Sequence, residues 1–260
     1  MFLINKIRSS RGVPWCISAL PGWPGGRRAL ALACLGAALA LAPAAARADP
    51  YKDLFEAVQA NDAGKVRLLV LRGLGTNSPD PKLGPAVVVA TQNKAFAALS
   101  ALLESPLTDV NVFNAAGESA LMYAALFGEI KVMRQLLARG AQVNHPGWTP
   151  LHYAATGGQR DAIALLLEHH AYLDALSPNG TTPLMMAARA GHVAVARGLV
   201  EAGADPSLKN EAGLGAPEYL LRSGNPEEAR WMVDRANAFL GRYGTKQAPV
   251  PARPAKAPPR

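Results

Sequence analysis

Cysteine is nearly absent from the chain: Cys16 and Cys34 are the only two in 260 residues. Neither lies beyond residue 48, so the rest of the chain can build no disulfide framework and no cysteine metal site. Acids are missing from both ends, 1–48 and 241–260, which hold eleven of the 27 Lys and Arg residues. Removing those eleven leaves 16 basic residues against all 19 acidic ones in between. The formal charge of +8 therefore describes the ends, and the slightly acidic body gives no reason to expect nucleic acid as a partner. Also absent are a G-x-S-x-G elbow, an H-E-x-x-H pair and a phosphate-cradling glycine loop. Single acids are scattered as on a solvated face. No catalytic residue, no metal and no cofactor is expected, and the chain reads as a non-enzyme.

The longest apolar run, 29–42, follows Arg27 and Arg28 and precedes Pro43-Ala44-Ala45-Ala46-Arg47-Ala48. A basic flank, a short apolar stretch and small residues at 46 and 48 are the three parts of a cleavable secretion signal. The run is short and alanine-rich for a membrane span of ~20 residues. Residues 1–48 are thus expected to be a signal peptide cleaved after Ala48, with no stable membrane anchor afterwards and a periplasmic destination. Arg27-Arg28 and Cys34 touch on twin-arginine and lipoprotein signals but lack the rest of either pattern.

The body repeats itself. Thr149-Pro150-Leu151-His152-Tyr153-Ala154-Ala155 returns 33 residues later as Thr182-Pro183-Leu184-Met185-Met186-Ala187-Ala188, and Ser119-Ala120-Leu121-Met122-Tyr123-Ala124-Ala125 is an earlier, weaker copy. Behind each copy follows a glycine (Gly128, Gly158, Gly191), then a leucine pair such as Leu136-Leu137 or Leu166-Leu167, then Gly140-Ala141 or Gly203-Ala204. Thr149 is placed to cap a helix, with Pro150 at its first position, where a missing N–H costs nothing. Leu151, Ala154 and Ala155 form one apolar stripe, and Ile163, Leu166 and Leu167 form that of a second helix. Gly158, Gly191 and Gly203 supply left-handed helix ends. No such unit can bury its face alone, so the units must stack.

This pattern resembles the ankyrin repeat, T-P-L-H-x-A-A followed by glycine, a leucine pair and G-A, most clearly over 114–209. The resemblance implies an all-α solenoid of about six helix-turn-helix units with short hairpin loops over 49–240, followed by a disordered basic tail, 241–260. It implies an exported, non-catalytic, monomeric module of bacterial type that binds a protein partner, as yet unknown, through its concave face and loop fingers. An immunity-type inhibitor of a secreted toxin shares the same fold, and a metal-dependent enzyme is the reading from another class. The family holds its partners at variable positions beside the fixed ones. On this chain these are Ala116, Glu118, Leu126, Phe127, Trp148, Thr156, Asn179, Thr181, Arg189, Glu211, Leu214 and Arg222.

Phe127 and Trp148 stand out as large apolar residues where no core needs them, either as interface anchors or, for Trp148, as a cover over a loop. That loop is short: five residues separate Asn144 from Thr149, against eight from Asp174 to Thr182. One finger is therefore expected to be clipped. His152 and His192 occupy structural positions of the repeat. His170 stands where the family has glycine and should be left-handed, and His169, His170 and Asp174 are the residues a metal would use.

Overall fold

The computed structural model describes residues 50–244, and within them the amphipathic stripes become six helix pairs. The inner helix of each pair comes first: α1 (Pro50–Gln59), α3 (Ala86–Gln92), α5 (Ala120–Phe127), α7 (Pro150–Gly157), α9 (Pro183–Arg189) and α11 (Ala216–Arg222). The outer partners are α2 (Ala63–Leu71), α4 (Phe96–Leu103), α6 (Ile130–Ala138), α8 (Arg160–Glu168), α10 (Val193–Glu201) and α12 (Pro226–Tyr243). Each inner helix packs on the inner helix of the next unit, so the core is a continuous row. Leu54, Val87, Leu121, Leu151 and Leu184 are buried at matching positions along it, and in the last unit the buried Leu220 stands where the unit before has Ala187. The small residues between them, Ala90, Ala124, Ala125, Ala154, Ala155, Ala187 and Ala188, are fully buried. Larger side chains there would hold the helix rows apart.

Helix ends follow the sequence closely, with one change. Ser119 and Thr182 accept bonds from Met122 N–H (3.4 Å) and Met185 N–H (3.3 Å). Thr149 was expected to cap α7 in the same way. Its hydroxyl instead meets Nδ1 of His152 (2.9 Å), and that ring nitrogen also accepts the Thr149 N–H (3.2 Å). Gly128, Gly158, Gly191 and Gly224 follow the inner helices at φ 69–82°, and His170 is left-handed at φ 62° as its position implied. Gly157 is needed for a different reason. A Cβ there would clash with the Leu126 carbonyl oxygen of the unit before.

Two sets of side chains join the units. After the inner helices, Gln159 donates to Leu126 O (3.3 Å), His192 to Thr156 O (3.1 Å) and Ser223 to Ala188 O (3.0 Å). Leu126 O and Thr156 O, which no helix bond satisfies, are thereby taken by the next unit, while Ala188 O accepts the Ser223 hydroxyl in addition to the Gly191 N–H (3.1 Å). After the outer helices, three asparagines each make two bonds to the following loop. Asn77 donates to Leu107 O and accepts from Asp109 N–H (both 2.8 Å). Asn111 does the same with Gly140 O (3.0 Å) and Gln142 N–H (2.7 Å), and Asn144 with His170 O and Tyr172 N–H (both 2.8 Å). The fourth position is Asp174, which accepts from Asp205 N–H (3.1 Å) but has no proton for a carbonyl.

Hairpin fingers close at Asp80–Gly84, Asn114–Glu118, Ser177–Thr181 and Asn210–Leu214. The loop at 145–148 makes no such closure among the described residues, so the short spacing does remove a finger. The last helix runs to Tyr243, past the boundary expected at 240. Its final turn is held by Phe239 against Tyr243 (4.8 Å between ring centres) and by Arg242 over the Tyr243 ring. The proposed signal at 1–48 and most of the tail lie outside the described residues. No helix among the described residues is long and apolar enough to cross a membrane.

Burial pushes the Asp174 carboxyl up; the Asp205 N–H opposes this and the Asp205 carboxylate adds to it. A carboxyl whose folded pKa is raised favours the fold while protonated. Its contribution is complete below the ordinary value of 3.8 and is lost as pH rises through the folded value. Asp174→Asn restores the donor the other units have and removes the buried charge. It should stabilise the fold by about 1 kcal/mol at pH 7, with the gain shrinking on acidification. Thermal melts of the two proteins from pH 3.5 to 7 measure this.

Candidate functional site

The turns after the inner helices form a row along one edge of the stack. Its leading positions are Gln59, Gln92, Leu126, Thr156, Arg189 and Arg222, followed by Ala60, Asn93, Phe127, Gly157, Ala190 and Ser223. Leu126, Phe127 and Trp148 belong neither to the buried core nor to the half-buried apolar residues packed on it. Leu221, next to Arg222, is likewise outside both groups and is exposed.

Phe127 sits at the centre of an aromatic group. Its ring is 6.3 Å from that of Tyr123, which is 6.3 Å from Tyr153 of the next unit. Both phenols donate to one carboxylate: Tyr123 to Glu118 Oε2 (2.5 Å) and Tyr153 to Glu118 Oε1 (2.7 Å). Asn114 Nδ2 adds a third bond (2.9 Å). Burial alone would raise the Glu118 carboxyl, but these three donors outweigh it and hold it below the usual range. Burial, then the bond to and charge of Glu118, push the Tyr123 phenol up to about 12, and the same causes raise that of Tyr153. The result is a fixed carboxylate with two neutral phenols, tying the third unit to the fourth.

The other expected contact residues divide clearly. Ala116, Asn179, Arg189, Glu211 and Arg222 are exposed, while Glu118, Leu126, Phe127, Trp148, Thr156 and Leu214 are half-buried. Asn179 and Glu211 are brought together across two fingers, Glu211 N–H donating to Asn179 O (3.0 Å). The Thr156 hydroxyl turns inward to His152 O (2.8 Å). Thr181 must be corrected. It is 3% exposed, its N–H donates to Ser177 Oγ (2.9 Å) and its carbonyl takes the His152 imidazole. It closes a finger and has no surface to offer.

Trp148 stands edge-on to His152, 5.3 Å between ring centres, and not beside Phe127. His152 donates from Nε2 to Thr181 O (2.9 Å), since a carbonyl can only accept, which leaves Nδ1 as the acceptor for Thr149. Trp148 thus stands against a buried neutral imidazole, a contact with His152 and not the cover over the short loop expected from the sequence. His169 and His170 are exposed at the end of α8, and no group of three His, Cys, Asp or Glu side chains placed to hold a metal occurs among the described residues.

One residue of the row escaped the sequence reading. Lys94 occupies the position held by Gly128, Gly158, Gly191 and Gly224, and it too is left-handed, at φ 56°. Its ammonium lies over the Phe127 ring, 4.4 Å from the centroid. The signal was present in the sequence as a lysine in register with four glycines.

Comparison with known proteins agrees with this geometry. A family model described as ankyrin repeats (3 copies) matches residues 54–146 and 143–210. The chain is similar to the mouse B-cell lymphoma 3 protein homolog, 33% identical over 56% of this chain and 34% of the relative. It is also similar to the Drosophila melanogaster E3 ubiquitin-protein ligase Ufd4, 32% identical over 68% of this chain but 7% of that protein. The fowlpox virus ankyrin repeat protein FPV223 is 30% identical over 49% of this chain and 92% of its own length. Apart from the viral protein, the chain spans about a third or less of these relatives.

Burial, against bonds to the backbone, pushes His152 down to about 4 from 6.5. A histidine with a depressed folded pKa contributes stability that is present above its unfolded value and lost as pH falls through the folded one. About 3 kcal/mol should disappear between pH 6.5 and pH 4 from this group. Trp148→Ala, by opening the imidazole to water, should lower stability at pH 7 yet flatten the acid slope. Denaturant titrations at several pH values test both effects, and an unchanged slope in the variant would contradict a role for Trp148 in shielding His152.

Proposed function

The chain belongs to the ankyrin-repeat family, and on that premise we propose that it captures a protein partner along the turn row after its inner helices, without catalysis of its own. Ankyrin repeats are in general scaffolds for protein–protein interaction. The observation that carries the reading here is the apolar surplus at Leu126 and Phe127. A half-buried aromatic outside the core, with Lys94 over its ring and exposed Arg189 and Arg222 two and three units further along the same edge, has the make-up of an interface anchor. The fingers at Ala116, Asn179 and Glu211 would frame the partner on either side, and the module would work as a monomer.

We further propose that the protein works after export, in the periplasm of a bacterial cell. Support comes from the basic flank, apolar run and small-residue site in 27–48, and from the lack of cysteine beyond Cys34. A solenoid that needs neither disulfide nor metal for stability suits an oxidising compartment.

Two outcomes are expected. Phe127→Ala should weaken partner binding by ~2 kcal/mol or more while moving stability by no more than about 1 kcal/mol. Pull-down from periplasmic extract alongside a thermal melt reads both, and a steep loss of stability would place Phe127 in the fold instead. Mass spectrometry of the mature chain should find Asp49 at its N-terminus; a chain still beginning at Met1 in the cytoplasm would remove the export proposal.

A further inference from the structure

A lysine at φ 56° is costly, since a left-handed non-glycine residue is disfavoured by about 1 kcal/mol. The equivalent positions of four other units avoid that cost with glycine, and the first unit has Asn61 there, left-handed at φ 54° and bonded through its side chain to Ala98 N–H. The strained residue is not held by an ion pair: no carboxylate engages Lys94 among the described residues, and its side-chain contact is the Phe127 ring. Strain kept at an exposed position, whose side chain rests on another residue of the same edge rather than on the core, points to use by something outside the fold. The same edge carries two more cations free of partners. Arg189 and Arg222 are exposed, stand 33 residues apart at the last position of successive inner helices, and make no ion pair or side-chain hydrogen bond among the described residues. Among the other exposed arginines, Arg67 is paired with Glu104 and Arg197 with Glu228, while Arg72, Arg134 and Arg160, on or next to the outer helices, make no ion pair among the described residues.

We propose that the partner lays an extended acidic segment along this edge, its carboxylates taken by Lys94, Arg189 and Arg222, with Phe127 as the apolar floor beside Lys94. The proposal rests on the binding-module reading above and names the chemistry of its partner. Peptide carboxylates fit better than a phosphate backbone. Glu129 stands in a unit between Lys94 and the arginines and Asp62 in the unit before Lys94, and the body between 49 and 240 carries more acids than bases, so a continuous polyanion would meet repulsion that carboxylates spaced to the cations avoid. Inner helices in contact lie roughly 8–10 Å apart, which puts Arg189 and Arg222 about one such step apart and Lys94 about three steps from Arg189. An extended chain advances ~3.3 Å per residue, so the matching carboxylates stand about three and about nine residues apart.

The test uses the full chain and a fluorescein-labelled peptide of about 15 residues, rich in Gly and Ser, with three glutamates at those spacings. The same peptide with glutamine for glutamate and a single-stranded oligonucleotide of similar length serve as the other arms. The glutamate peptide should bind about tenfold or more tightly than the glutamine peptide and the oligonucleotide, and more weakly as salt rises. The triple variant Lys94→Gln, Arg189→Gln, Arg222→Gln should lose that difference. Lys94→Gly separates use from structure: it should raise the melting temperature by about 2 °C through relief of strain and still weaken the glutamate peptide several-fold. Equal binding of the two peptides would overturn the acidic reading while leaving a protein-binding face in place. Tighter binding of the oligonucleotide would overturn it in favour of nucleic acid. No peptide binding, or a Lys94→Gly variant that melts lower and binds unchanged, would also overturn it, whatever partner the pull-down with Phe127→Ala identifies.

Discussion

A pair of short helices that buries one face leaves carbonyls at its helix ends and amides in its loops without partners, and the neighbouring unit must supply them. In this chain the supply is regular. Gln159 and His192 take the open carbonyls of the preceding inner turn, Ser223 adds a second bond to Ala188 O, and Asn77, Asn111 and Asn144 pin each outer loop to the next with a donor and an acceptor. Unpaired buried polar groups are expensive, so this bonding fixes the stacking distance and register as firmly as the leucine row does. Everything on the surface, including the turn row with Phe127, takes its spacing from that arrangement. Asp174 shows the rule by departing from it, keeping the acceptor and losing the donor.

Much of this was legible beforehand because the repeat is a statement about burial. The stripes at Leu151 and Ile163, the left-handed glycines and the left-handed His170 each have one physical solution, and the structure adopts it. The clipped loop was legible from a count of residues. What escaped the sequence were pairings across units. Nothing local tells that Thr149 meets His152 rather than the helix amides, or that Thr181 is sealed under the same imidazole. The joint use of Glu118 by Tyr123 and Tyr153 depends on residues 35 apart from one another in the case of Tyr153, and it emerges only when the third and fourth units are stacked.

The expected contact set changes in kind rather than in place. Thr181 leaves it and Trp148 stands against His152, so the aromatic centre narrows to Phe127 with Tyr123 and Tyr153. Lys94 enters it for a reason that composition could not show, its backbone conformation. A repeat protein holds its core nearly constant and varies the edge of each unit. Departures from the unit's own rule, such as a lysine among glycines, an aspartate among asparagines or a missing finger, are therefore the places to look for a role besides stacking.

The central claim is that the turn row after the inner helices, and not the outer helix face, meets the partner. Site-specific photo-crosslinking in the producing cell addresses it directly, with a photoreactive residue placed at Phe127 in one strain and at the exposed Arg134 of α6 in another. The account predicts a discrete crosslinked protein from position 127 and none from position 134. The reverse pattern, or an equal yield from both positions, would contradict it.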